Sequence, residues 1–520
     1  MELKKINPQF EDLQNPETFI NHIEELQKEG EATPHAEILE QLLNEIEPID
    51  FEAIAFPQIE ELREKLKTLE DKSEEAKDIR KQIERLKINQ KHYLVLSIEN
   101  ALKVAETNNW GLCKNHDFIY LYNGCFWSEL DKESFQKFLG EASEKMGVAK
   151  YSARFYQFRE QLFKQFLSTA YLPSPEQDNK TVLINLLNGT FEISPKGKTK
   201  LRTFQSQDFI TYQLPFEHDP TAQAPLFEAY LNKVLPDIES QKVLAEYLGY
   251  VFIKNGGLLK LEKALILFGT GANGKSVFFE VVNALLGSDN VSGYSLQSLT
   301  NDNGYFRAKI SNKLVNYASE INGKLETALF KQLVSGEPVE ARLPYGQPFL
   351  LKQYAKMIFN CNELPKDVEQ TNAYFRRFLI IPFDVTIKDN EKDPQLANKI
   401  IDSELSGVFN WVLEGLNRLL EQKRFTDCKA SQQAVNKYKV ESDSVQMFLS
   451  DENYSVSAIQ VTPLKEIFSE YRNYCIDCGF KACSRRTFTD RLRNVGYQTE
   501  RKNYGTVVNA EKKYSNNPEI

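Results

Sequence analysis

In PQIEELREKLKTLEDKSEEAKDIRKQIERLKIN, Ile59, Leu62, Leu66 and Leu69 recur at spacings of three and four, the period of one helix face. Ile79, Ile83 and Leu86 resume the pattern beyond a polar break at Asp71–Lys77. Residues 1–95 are therefore expected to be helical. The pattern fits a helical hairpin or broken coiled coil, and equally charged surface helices with a narrow buried seam. From 96 to 225 helix and strand patterns mix. FIYLYNGCFWSEL and LINLLNGTFEI read as hairpins turning at Asn123-Gly124 and Asn188-Gly189, because Asn-Gly favours positive φ at both turn positions. Residues 132–172 between them read as mostly helical.

APLFEAYLNKVLPDIESQKVLAEYLGYVFI (224–253) predicts helices, a collar over 226–255. The period then shortens. Ala264–Phe268 is a continuous apolar run, a buried strand, and after a glycine loop Val277, Val281 and Leu285, with Phe278 and Val282 alongside, predict a helix. KLVNYASE (313–320), AKMIFNCNELP (355–365) and AYFRRFLIIPF (373–383) predict further strands, and VEARLPYGQPFLLKQ (339–353) predicts strand, turn, strand. Residues 391–440 read as a helical extension, followed by a linker near 440–460.

The C-terminal unit, 455–515, reads as helix, helix, hairpin, the order of a winged helix. Thr462 is placed as an N-cap with Pro463 at the first helical position, Leu464, Ile467, Phe468 and Tyr471 as one apolar face, and Gly479 as its stop. Ser484 then caps a helix bearing Phe488, Leu492 and Val495, closed by Gly496, and YQTERKNYGTVVNA follows as the hairpin.

A chain of 520 residues exceeds one ordinary core, so several domains are expected. Its composition, 41% hydrophobic and 26% charged, is that of a soluble globular protein. No apolar run approaches the roughly 20 residues of a membrane span, and the N-terminus lacks a secretory apolar core, so no membrane partner and a cytoplasmic location are expected. Seven cysteines fit a reducing compartment. Cys475, Cys478 and Cys483 cluster without a fourth ligand nearby, so no metal site is assigned to them. The net charge of -9 rules out a general basic coat for nucleic acid, although positive charge can be concentrated locally.

The loop Gly269, Thr270, Gly271, Ala272, Asn273, Gly274, Lys275, Ser276 matches G-x-x-x-x-G-K-[S/T] between a strand and a helix, the context this phosphate-binding motif requires. Glycines let backbone N–H groups converge on phosphate oxygens, the helix N-terminus adds partial positive charge, Lys275 reaches the β- and γ-phosphates, and Ser276 can ligate Mg2+. The expected substrate is ATP. Glu320 at a strand end can hold Mg2+ or polarise the attacking water, or stand as a plain surface acid. Asn362 at the next strand end can sense the γ-phosphate. Arg376 and Arg377 suit an arginine finger for a neighbouring subunit, or a solvated strand edge.

GTGANGKS, LVNYASE, KQLVSGEPVEARLPYGQPFLLKQYAKMIFNCNELP and FRRFLIIPF, all between residues 269 and 383, together resemble superfamily 3 helicases, specifically the phage/plasmid primase-helicase family that includes poxvirus-type helicases. LINLLNGTFEI and FITYQLPFEHDPTAQAPLFEAYL also look like the domain that precedes the motor there, so the resemblance covers roughly 110–390. It implies an α/β fold: a P-loop, AAA+-type ATPase core (256–390), preceded by an α+β domain (96–225) and the helical N-terminal region. It further implies an ATP-dependent DNA helicase of a mobile element or virus, a homo-oligomeric ring, by family habit a hexamer, and 3′→5′ translocation on single-stranded or forked DNA. Lys275, Ser276, Glu320 and Asn362 would act in cis. The 339–353 hairpin would face the channel, with Arg342 and Lys352 on the DNA backbone and Tyr345 stacking on a base.

Two departures stand out. Ser319 precedes Glu320, where many superfamily 3 members have paired acids. Residues 1–110 show no primase-like acidic pair or zinc motif, so priming would come from a separate primase or not at all. From 481 to 502 there are seven basic residues, Lys481, Arg485, Arg486, Arg491, Arg493, Arg501 and Lys502, against Asp490 and Glu500. That excess suits DNA phosphates; a protein-docking winged helix is the alternative. An initiator or loader that uses ATP only to assemble, or an inactive scaffold for primase, are the rival functions.

Overall fold

The computed structural model describes residues 34–70, 73–115, 118–170, 180–195, 197–319, 321, 326–344, 346–365 and 368–513. Its chain divides into two compact units, the first running to Glu217 apart from the short segments 179–182 and 194–198, the second comprising those segments and everything from His218 onward.

Unit 1 begins with α1 (His35–Glu45), α2 (Ile59–Thr68), α3 (Glu74–Arg85) and α4 (Gln90–Thr107). α2 and α3 pack on each other as a helical hairpin. Ser73 caps α3 by accepting the Ala76 N–H at 3.1 Å, and along the paired helices only Ile59 and Ala76 are fully buried. The narrow seam and the hairpin thus coexist. β1 (Gly111–Asn115), β2 (Phe118–Tyr122) and β3 (Trp127–Leu130) form an antiparallel sheet. α5 (Lys132–Met146) and α6 (Tyr156–Thr169) follow, and Phe135, Phe138, Leu162 and Phe166 join Ile38 and Leu42 in one core.

Both Asn-Gly turns form, with different geometry from that expected. Only the glycine of each pair is left-handed: Gly124 has φ 93° and Gly189 φ 137°. At the first turn the Asn123 carboxamide accepts the N–H groups of Cys125 and Phe126 at 3.0 and 2.9 Å, so its side chain closes a longer loop. At the second, β4 (Val182–Leu186) and β5 (Gly189–Ile193) are continued by β6 (Thr199–Arg202).

Unit 2 is organised on a five-stranded, all-parallel sheet of β7 (Ala264–Phe268), β8 (Val291–Ser292), β9 (Val315–Ala318), β12 (Lys356–Cys361) and β13 (Phe378–Pro382), in the order β13-β7-β12-β9-β8. The continuous apolar runs at these positions follow from burial on both faces. The hairpin of β10 (Val339–Arg342) and β11 (Pro348–Leu351) lies between β9 and β12 in the chain. α7 (Pro225–Val234) and α8 (Ile238–Tyr250) precede β7, and α9 (Lys275–Leu286) follows it.

The helical segment beyond β13 contains α10 (Leu396–Gln422) and α11 (Lys429–Glu441). α10 packs closely against α8: a Cβ on Gly415 would lie 2.3 Å from the Ala245 carbonyl carbon, and one on Gly249 2.8 Å from Leu416 Cα. Two buried acids fasten the helices. Glu404 of α10 accepts the Leu226 and Phe227 N–H groups, both at 2.9 Å, capping α7 where Ala224 offers no side-chain cap. Glu246 of α8 takes the Arg418 Nε at 2.6 Å and the Thr426 N–H at 2.8 Å.

The C-terminal part of unit 2 contains α12 (Ser444–Asp451), β14 (Tyr454–Val456), β15 (Thr462–Pro463), α13 (Leu464–Asp477), α14 (Arg485–Asn494), β16 (Thr499–Lys502), β17 (Gly505–Val508) and β18 (Ala510–Lys512). The 440–460 stretch, expected as a linker, instead forms α12, whose Val445 and Phe448 share a core with Ile467, Tyr471, Phe488 and Leu492. Thr462 is not the N-cap of α13. It lies in β15, paired with Val508, and its hydroxyl donates to the Ala510 carbonyl at 2.7 Å. Ser484 does cap α14, accepting the Thr487 N–H at 3.2 Å, and β16 and β17 form the expected hairpin.

Candidate functional site: a glycine loop at the end of a parallel sheet

β7 ends at Phe268, and the Gly269 N–H is fixed to the Cys361 carbonyl of the neighbouring β12 strand at 3.1 Å. The loop then turns through left-handed positions at Gly271 (φ 110°), Ala272 (φ 49°) and Gly274 (φ 86°). Ala272 is a non-glycine in that region; the Ile387 N–H, donating to its carbonyl at 2.7 Å, fixes its carbonyl in place. Tyr230 donates to the Gly274 carbonyl at 2.8 Å. The loop is thus held from three sides by backbone and by α7. Gly274 stands at the N-cap of α9 without a side-chain cap, which leaves first-turn N–H groups directed at the loop.

Lys275 is 7% exposed. Its ammonium donates to the Gly269 carbonyl at 2.6 Å, to Asn273 Oδ1 at 3.2 Å and to Asn362 Oδ1 at 3.4 Å. Asn273 is held in turn by its own Nδ2, which donates to the Phe383 carbonyl at 3.1 Å. Among the described residues no carboxylate lies within ion-pair distance of Lys275, and burial pushes its pKa below the usual lysine value. A desolvated cation ringed by neutral oxygens is the complement of an anion. Thr270 and Ser276 are exposed beside it.

The fold brings Asn362 to Lys275, as expected from its place at the end of β12. Ser319 is exposed after β9, which runs parallel to β12. Glu320 and Tyr345 lie outside the described residues.

Arg376 and Arg377 differ sharply. The Arg377 side chain is 10% exposed. Its guanidinium bonds to the Ser335 hydroxyl at 3.0 Å, to the Lys331 carbonyl at 3.3 Å and to the Ala373 carbonyl. It is a structural clamp on the helix Thr327–Val334, which corrects its assignment as a finger candidate. Arg376 is 63% exposed and pairs with Glu262 at 3.1 Å, a carboxylate that also lies 3.7 Å from the Arg377 guanidinium. Both precede β13, whose Phe378 is in register with Ala264 at the start of β7 and whose Pro382 is level with Phe268. Arg376 therefore lies at the opposite end of the strands from the glycine loop. Five residues at about 3.3 Å each make roughly 16 Å, farther than an arginine side chain reaches.

On the β10–β11 hairpin, Arg342 is exposed but folds back, its Nε donating to the Gly346 carbonyl at 2.9 Å, and Lys352 is exposed just beyond β11. Sequence reasoning missed Arg307, a buried arginine whose Nε donates to the Glu340 carbonyl at 2.6 Å and so anchors β10. Its guanidinium also donates to the nearby Leu299 and Asn301 carbonyls, and no local pattern marks it, because its burial against β10 is a property of the packed chain.

In the C-terminal part, Arg485 and Arg486 are exposed in the first turn of α14. Arg491 is not available as expected: it pairs with the buried Asp443, the N-cap of α12, at 3.1 Å. Arg493 is exposed, with its guanidinium on the Thr499 hydroxyl at 2.7 Å. Tyr504, fully passed over in the sequence, is exposed at the turn between β16 and β17. Among the described residues no group of His, Cys, Asp or Glu could hold a metal ion. Among the same residues, no helix is long and apolar enough to cross a membrane.

Two family models match the sequence: one described as D5 N terminal like, over residues 104–236, and one described as a family of unknown function (DUF5906), over residues 267–377. The second covers the glycine loop, Asn362 and both arginines. A protein of Acanthamoeba polyphaga mimivirus named "Putative helicase L207/L206" is 24% identical over 241 residues, 44% of this chain and 24% of that protein. The chain thus spans about a quarter of the length of this curated relative. Among solved structures, the A form apo structure of the NrS-1 C-terminal region overlaps 79% of this chain and 99% of its own at 14% identity with a TM-score of 0.44, and a second A form apo structure, of residues 305–718, overlaps 78% and 98% with a TM-score of 0.43.

Proposed function

We propose that unit 2 is an ATP-driven DNA motor: a ring-forming helicase that moves single-stranded DNA for replication of a mobile element or virus. The observation that carries this is the Lys275 ammonium, buried in a glycine loop with no carboxylate partner among the described residues and 3.4 Å from Asn362 at the adjacent strand end. The two groups that this reading assigns to one γ-phosphate, 87 residues apart in sequence, are in contact there. The similarity to a protein named as a helicase supports the same reading.

In this reading the loop N–H groups and Lys275 hold the ATP phosphates, and Asn362 orients the attacking water. Bound Mg2+ would neutralise phosphate charge; the exposed Ser276 hydroxyl beside Lys275 fits it, with Glu320 as the candidate acid. Arg376, exposed and a strand's length from its own loop, serves the nucleotide of a neighbouring subunit. That placement supports a ring, for which six subunits is the expectation. The β10–β11 hairpin, with Arg342, Lys352 and Tyr345, contacts the translocating strand. β15, α13, α14 and the β16–β17 hairpin form a winged helix that sets Arg485, Arg486 and Tyr504 on DNA, with Arg493 at its edge.

The test is unwinding of a labelled forked duplex. Wild-type protein should separate it with ATP and Mg2+. Lys275→Ala should lose ATP turnover and unwinding while keeping its melting temperature. ATP turnover without strand separation would make the protein a loader; normal turnover by Lys275→Ala would remove the phosphate-loop reading.

A further inference from the structure

Unit 1 carries aromatic rings that its own core leaves out. The short helix Lys150–Arg154 and α6 meet at Phe155, which is extended (φ -69°, ψ 131°) and ends one helix while starting the next. Ala153, Phe158, Leu162 and Phe166 face the core. Tyr151, Phe155 and Tyr156 do not: they are 88%, 50% and 66% exposed. The Phe155 and Tyr156 rings meet edge to face, with centroids 5.0 Å apart.

Local folding does not ask for these residues. Phe155 gives α6 no side-chain cap, where Ser, Thr, Asp or Asn would stabilise the helix start. Three large rings within six residues also make an apolar patch that costs free energy in water unless something covers it.

The surrounding charge favours an anionic partner. Lys150, Arg154 and Arg159 gather around Glu144 and, with Arg154 first, hold its carboxyl below the usual range. Arg154 grips that carboxylate with two bonds, 2.7 and 3.1 Å. The nearby acids Glu141 and Glu160 pair with Lys137 and Lys164. Lys150 and Arg159 therefore remain in excess. Arg159 lies over Gly140, where a Cβ would meet its Nε at 2.6 Å, and that buried Nε has no hydrogen-bond partner among the described residues.

We infer that the Lys150–Arg159 surface is a stacking platform for single-stranded nucleic acid, separate from the β10–β11 hairpin and from α14. Its DNA identity rests on the motor reading above. Flat, exposed rings receive unstacked bases of any sequence, and the flanking cations take the phosphates. A duplex keeps its base faces stacked inside, so single strands are the fitting occupant.

The test is equilibrium binding of a fluorescent oligodeoxythymidine to the full chain without nucleotide, over a salt series. The triple variant Tyr151→Ser, Phe155→Ser, Tyr156→Ser should bind about tenfold or more weakly, at the lower edge of what the loss of stacked bases predicts. Its salt dependence should be little changed, because the rings carry no charge. Lys150→Gln with Arg159→Gln should instead flatten the salt slope. Crosslinks from a 5-iodouracil oligonucleotide should map to Tyr151 or Tyr156. Tyr151→Ser alone, at a nearly fully exposed position, guards against misfolding of the triple variant and should weaken binding severalfold. Equal affinity of wild type and variants overturns the platform and leaves the motor reading standing. A changed assembly mass with unchanged DNA affinity also overturns it, making the patch a protein contact. If wild type binds no oligonucleotide, the DNA reading falls together with the platform.

Discussion

Around the parallel sheet of unit 2, cations are turned inward; on α14 they are turned outward. Lys275 is buried among neutral oxygens and Arg377 among carbonyls, a hydroxyl and the Glu262 carboxylate, whereas Arg485 and Arg486 stand in solvent at the start of a helix. Each region also holds its own exception. Arg376 is exposed beside the buried Arg377, and Arg491 is tied to Asp443 six residues beyond Arg485. The lesson is that neighbouring cations of one type take opposite roles according to what each guanidinium already binds. A guanidinium buried in the chain positions the chain; an exposed one can serve a ligand.

The largest expected effect separates the two adjacent arginines. Arg376→Ala should cut ATP hydrolysis about 10³-fold or more with little change in thermal stability. Arg377→Ala should lower stability by about 2–4 kcal/mol, since it strands a buried hydroxyl and carbonyls. Steady-state turnover and melting curves check both. Mixing Lys275→Ala with Arg376→Ala subunits should restore part of the activity at hybrid interfaces. No recovery in assemblies shown to be mixed would return Arg376 to a role within its own subunit.

A smaller effect sharpens the contrast on α14. Arg485→Ala with Arg486→Ala should weaken duplex binding and lower its salt slope by roughly 0.9 per lost phosphate contact. Arg491→Ala should leave the salt slope alone and cost about 1–3 kcal/mol of stability, because Asp443 is left buried without its partner. An altered slope for Arg491→Ala would reverse the assignment.

A further test concerns another inward cation. The Lys356 amine donates to Asn255 Oδ1 at 2.6 Å and sits 4.4 Å above the Tyr250 ring. Burial pushes its pKa down to about 7. The folded pKa lies below that of unfolded lysine, so between pH 7 and the ordinary lysine value of 10.5 the unfolded chain binds more protons. The stability this residue contributes should therefore rise with pH through that window and be lowest below it. Lys356→Met should flatten the dependence in denaturant titrations at several pH values; an unchanged slope would show that the amine stays solvated.

Local patterns determined much of this protein. Continuous apolar runs marked β7, β12 and β13, because strands buried on both faces need them. Residue type and spacing marked the glycine loop, Lys275 and Asn362, since a tight left-handed loop and a strand end demand those residues locally. Ser484 and Gly479 punctuated the C-terminal helices for the same reason. Other features were settled by partners far along the chain. Thr462 looked like a cap until β17 and Ala510 drew it into a sheet. Helix α12 looked like a linker because its apolar face is completed by Ile467, Tyr471 and Phe488. The roles of Arg376, Arg377, Arg491 and Arg307 were invisible for one physical reason: a charged side chain's function depends on burial and on its partners. Those are properties of the packed chain, and only the tertiary structure supplies them.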